Sequence, residues 1–228
     1  MRIPLTILAI VALILLASVL FAPTPGPDAI QARTDLPWQI RVNADGSSHV
    51  FDLDLGRATL ADAMDKFGGL EGLAVFEPKQ GPLALEGYFG TVQMGPLQAK
   101  VIVGLEAGED ELQVLRARAS AREGSPSGDW KYKLNDAPSE HLQRRVAVIS
   151  YVPGTRSLDA GFFRQRFGEP AATLRESEHA VSWFYPDRGV SILIDDDARE
   201  VLEYVAPRDF VMPEGVTPNS AANDASLR

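Results

Sequence analysis

The chain contains no cysteine. That absence removes disulfides, thiolate nucleophiles, iron–sulfur clusters and cysteine zinc sites together, and with them the acylated cysteine that tethers a lipoprotein. Histidine is scarce: His49, His141 and His179 stand far apart and never at i, i+4 spacing, so no histidine-rich metal motif exists. No phosphate-loop lysine follows a glycine run, and "GGLEG" at Gly68–Gly72 fits no dinucleotide fingerprint. "GSPSG" at Gly124–Gly128 has the wrong serine spacing for a nucleophile elbow and reads as a linker. "DDDARE", from Asp195, clusters carboxylates without the glycine and spaced ligands of a calcium loop, and reads as a hairpin turn. "GEDE", Gly108–Glu111, reads as a matching turn. No catalytic residue, metal or cofactor is assigned, and the chain is not expected to be an enzyme.

Basic residues are also in deficit, 22 against 31 acidic ones, for a net charge of −9. Arg2 and Arg33 cancel Asp28 and Asp35, so the folded part holds the whole deficit. An acidic surface repels phosphate backbones, and nucleic acid is excluded as a partner. Arg116, Arg118 and Arg122 in "LRARASAR" read as a solvated face against that background.

One long apolar run is present. Residues 3–22, "IPLTILAIVALILLASVLFA", carry no charge, and a helix of about 20 residues spans a bilayer core. Arg2 precedes it and Asp28 follows, so the positive-inside rule puts the bulk outside. The run exceeds the apolar core of a cleaved signal, and Leu20-Phe21-Ala22 before Pro23 is a poor cleavage site. The expectation is a single-pass inner-membrane anchor over 1–22, a proline-rich tether over 23–35, a periplasmic bulk and a disordered tail over 213–228.

The body is expected to be α+β, with tandem helix-plus-antiparallel-sheet repeats over 36–122 and 144–212 joined by a linker over 123–143. The first contains "TLADAMDKFGG", "LEGYFGTV" and "KVIVGLEAGEDELQVL"; the second contains "LDAGFFRQRFGEP", "VSWFYPDRG" and "VSILIDDDAREVLEYV". Each reads as a helix ending in Phe-Gly, an aromatic strand, an apolar strand, an acidic turn and a final strand. Thr59 and Asp159 are good N-caps, and Gly68 and Gly168 suit helix ends. Asp45-Gly46 between alternating runs marks a hairpin. Trp130–Leu134 and Pro138 suggest a strand and a short helix.

Gly168-Glu169-Pro170 followed by Trp183, Phe184 and Tyr185 resembles the SmpA/OmlA (BamE-like) module of outer-membrane assembly, over about 55 residues of the second repeat. The whole chain is similar to a family of membrane-anchored proteobacterial envelope proteins, a likeness that brings no activity with it. In plan it also resembles the β-lactamase inhibitor proteins. SmpA/OmlA proteins are held by a cysteine, which this chain lacks; that departure favours the inner membrane. The resemblance implies a binding or assembly module with an envelope protein partner. A hydrolase running on scattered carboxylates, and an inhibitor-like protein gripping its target with a sheet, are the alternatives.

"WFYPDRG" carries the one candidate site. Trp183 and Tyr185 share a strand face, and Asp187 and Arg188 follow in a turn that Gly189 allows. Either the aromatics are core and the turn is only a turn, or Trp183, Tyr185, Asp187 and Arg188 form a partner hot spot.

Overall fold

The computed structural model describes residues 35–79, 81–94, 97–124, 128–155 and 158–219. The expected anchor, residues 23–34 of the expected tether, and residues 220–228 of the expected tail lie outside them.

The described part begins with two hairpins: β1 (Arg41–Val42), β2 (Ser48–Val50) and β3 (Leu53–Leu55) form a small sheet in that order. The expected Asp45-Gly46 turn joins β1 to β2. Asp45 Oδ1 accepts from the amide and hydroxyl of Ser47, and Gly46 takes φ 78°. Helix α1 (Leu60–Phe67) follows, begun by a reciprocal capping box between Thr59 and Asp62. Then come β4 (Gly72–Glu77), β5 (Ala84–Met94), β6 (Leu97–Leu105), α2 (Glu109–Ala117), β7 (Ala121–Gly124) and β8 (Trp130–Leu134). The second half has β9 (Val146–Pro153), α3 (Ala160–Phe167), β10 (Ala172–Arg175), β11 (Ala180–Tyr185), β12 (Val190–Asp195), β13 (Val201–Val205) and β14 (Thr217–Pro218).

β4 to β14 form one 11-stranded antiparallel sheet, in the order β14-β10-β11-β12-β13-β9-β6-β5-β4-β8-β7. The helices and the small sheet cover one face of it. Phe51 stacks on Tyr151 of β9 at 5.5 Å and meets Tyr204 of β13 edge-on at 5.1 Å. Phe67 of α1 meets Phe89 of β5, and Phe167 of α3 meets Tyr185 of β11. One continuous apolar cluster runs from Val50 to Ala206.

These observations correct the expected class. Among the described residues strand makes up 43% and helix 19%, with three α-helices, so the fold is mostly β rather than α+β. The supposed repeats are not equivalent. α1 precedes a three-strand meander, β4 to β6, and α3 a four-strand one, β10 to β13; after β6 the segment read as a turn and strand is α2. Its acidic first turn suits the positive end of a helix, and Leu112 and Leu115 bury at helical spacing. The membrane reading is corrected as well. No helix among the described residues is long and apolar enough to cross a membrane, since none exceeds nine residues. The described structure therefore does not support a single-pass inner-membrane placement with a transmembrane signal-anchor.

Candidate functional site

The "WFYPDRG" stretch does not present Trp183 and Tyr185 on the surface. Strand alternation turns Trp183 and Tyr185 toward α3, where they are 5% and 6% exposed. The Trp183 ring lies 4.8 Å from the Arg164 guanidinium. The Tyr185 hydroxyl donates to Gly168 O at 3.0 Å, and burial, helped by the nearby Glu169 charge, pushes its pKa far above the usual phenol value. Asp187 and Arg188 are exposed in a 3₁₀ turn. Gly189 closes it at φ 64°, where an added Cβ would lie 2.1 Å from Val205 O. The candidate hot spot thus divides: two aromatics belong to the core, and two charges belong to a turn at the strand end.

Phe184 points the other way, to the second face of the large sheet. Among the described residues no helix covers this face, and its residues come from alternate positions of many strands. Register aligns Phe184, Ser191, Glu203, Ser150, Ile102 and Tyr88 across β11, β12, β13, β9, β6 and β5. The sheet curls around this face. Phe76 of β4 and Glu203 of β13 line one groove of about 850 Å³ although three strands lie between them. Register shifts at Tyr88/Thr91 of β5 and Gly104/Leu105 of β6 add local bends to the central strands.

The groove is floored by Ala180, Ser182, Ser191, Leu193 and Val201, with Glu203 among them, and edged by the carboxylates of Asp129, Glu176 and Asp195. Ser182 Oγ donates to Glu176 at 2.7 Å, and Ser150 Oγ to Glu203 at 3.5 Å. Asp195 Oδ1 accepts from the amides of Asp197 and Ala198, so it holds the "DDD" turn in place. Water reaches the Glu203 side chain, yet protein surrounds it on the groove floor. That desolvation raises its pKa, and the Ser150 hydrogen bond lowers it less. Glu86 of β5 is raised too, first by burial; Lys131 opposes the shift and the Glu203 charge adds to it. Glu86 lines a separate hollow with Gly72, Tyr88, Lys100, Ile102 and Lys131.

A second hollow of about 360 Å³ adjoins the groove, sharing Ser191 and Glu203 with it. Its walls are Phe184 and Val205 of the sheet and Phe210, Val211 and Pro213 of the segment after β13. Arg208 fastens that segment through hydrogen bonds to the carbonyls of Asp45 and Gly56.

Of the three histidines, His141 is the one drawn into a network. Arg144 Nε donates to its Nδ1 at 2.8 Å, which leaves Nε2 to donate to Asp136 at 3.1 Å. Arg144 also grips Glu111 of α2 with both terminal nitrogens, and Arg118 reaches Asp136. With both ring nitrogens engaged and 2% exposure, His141 orients Arg144, which ties α2 to the segment before β9. No group of three or more His, Asp or Glu side chains converges on a metal-sized point among the described residues.

The groove residues escaped the sequence reading. Ser182, Ser191 and Glu203 occupy the polar phase of their strands, as ordinary solvent-facing residues would. Only the register between β11, β12 and β13 brings them together, and no local pattern encodes it. No family model, no curated protein and no solved structure matches this chain.

Proposed function

We propose that the chain is a protein-binding module that holds its partner against the uncovered face of its large sheet. One observation carries this reading: a sheet sealed on one face by helices and hairpins keeps a groove of about 850 Å³ on the other, where a second layer could have packed. Serines and Ala180 keep the floor low, so a partner's backbone can come close. The likeness of residues around Gly168–Tyr185 to the SmpA/OmlA assembly module points the same way.

The alternative is a hydrolase using paired carboxylates, and the raised pKa values of Glu86 and Glu203 favour it. The two line separate hollows, with β6 and β9 between their strands, and share no pocket for one reacting bond. The binding reading is therefore preferred.

Photo-crosslinking tests it. A crosslinkable residue at Ser191 or Ser182 should give a discrete protein adduct that the same residue at Asp65, exposed on α1, does not. Leu193→Arg, which fills the groove, should abolish that adduct. Identical adducts from both faces, or none from the groove, would refute the proposal.

A further inference from the structure

Resting on the binding reading above, we infer that the groove recognises an extended segment of a partner protein carrying a basic side chain and, two residues away, an apolar one. The basic side chain meets Glu203 and its neighbouring carboxylates; the apolar one enters the adjoining hollow.

Charge is the first argument. Four of the residues lining the groove are acidic, Asp129, Glu176, Asp195 and Glu203, and none is basic. Some carboxylates elsewhere meet cations: Glu77 pairs with Arg116, Asp136 with Arg118, Glu123 with Lys133 and Glu169 with Arg164. Glu176, Asp195 and Glu203 make no ion pair among the described residues, and Glu203 is flanked across the sheet by two serines. A guanidinium or ammonium at this spot supplies the missing charge, while Leu193 and Val201 cover its aliphatic stem. The net charge of −9 draws a basic partner toward the face at long range.

Shape is the second. The hollow beside Glu203 is walled by Phe184, Val205, Phe210, Val211 and Pro213, and Val211 stands 83% exposed at its rim. An exposed apolar wall on a segment pinned by Arg208 offers burial to an incoming Leu, Met or Phe. In an extended peptide, residues i and i+2 face the same way, about 7 Å apart. Glu203 and Phe184 lie two strand positions apart, roughly 10 Å at ordinary strand spacing. Two long side chains leaning outward span that gap.

The probe is the N-acetylated, C-amidated peptide Gly-Lys-Ser-Leu-Gly, titrated into the isotope-labelled full chain and followed by amide chemical shifts. Gly-Glu-Ser-Leu-Gly and Gly-Lys-Ser-Ser-Gly are the controls. The lysine–leucine peptide should bind tightest and shift Ser182, Ser191, Leu193, Glu203 and Val205. Glu203→Gln should weaken it about fivefold or more, as loss of one partner of a charge-assisted contact does. Equal binding of the glutamate peptide, or shifts confined to other surfaces, would overturn the inference. If Leu193→Arg abolishes the crosslinked adduct but the lysine peptide shows no preference, the binding face stands and the basic segment is refuted. If the groove gives no adduct either, both fall.

Discussion

Phe51 and Asp52 carry φ angles of 54° and 59° in the two-residue turn between β2 and β3. Left-handed backbone costs a non-glycine residue about 1–2 kcal/mol, and a bulky side chain there is an outlier. Phe51 offsets that cost by burying its ring completely among Phe67, Tyr151 and Tyr204. The turn was hidden in "SHVFDLDL" because the compensation lies in residues far along the chain. Glu203 is the opposite case, a residue whose setting weakens the fold. Its carboxyl holds a proton to higher pH when folded than the ordinary 4.5 of the unfolded chain. Its contribution to stability is therefore greatest below that ordinary value and is lost as pH rises through the folded value. Glu203→Gln should raise the free energy of unfolding at about pH 7, and the gain should vanish near pH 4. Urea denaturation at both pH values reads this directly; a loss at neutral pH would show that the carboxylate is stabilised, not strained, on the groove floor.

Among the elements, α2 departs most from its sequence reading. As a strand, "ELQVL" would put Leu112 and Val114 on one face. As a helix it buries Leu112 and Leu115 and leaves Val114 62% exposed. Leu115→Ala should cost about 2–5 kcal/mol, and Val114→Ser less than about 0.5 kcal/mol, by chemical denaturation. Comparable costs at both positions would restore the strand. Where signals were local the sequence was legible: the Asp45-Gly46 hairpin, the Thr59 and Asp159 caps, and the strand over Trp130–Leu134 all stand where their residue types put them. Segment 109–117 failed for a physical reason. An acidic cluster serves a turn and a helix N-terminus equally well, and only the buried spacing of Leu112 and Leu115 distinguishes them. The open face was unreadable because register, not residue type, assembles it. Trp183 and Tyr185 drew attention by their chemistry, and that same chemistry buried them.

At the scale of the molecule, β9 decides the character of the fold. It pairs with β6 on one side and β13 on the other, so the halves of the large sheet share one strand and one core. Two independent repeats would unfold in two steps. The shared strand predicts one cooperative transition, with tryptophan fluorescence and far-ultraviolet circular dichroism coinciding across a urea titration. Separated midpoints would divide the body after all. The same arrangement sets a hazard during synthesis. A ribosome releases β6 well before β9, and the nascent first half then presents a nine-residue edge with nothing to pair it. Lys100, exposed on that strand, sets a charge on the edge of the kind that disfavours pairing between neighbouring chains until translation reaches Pro153.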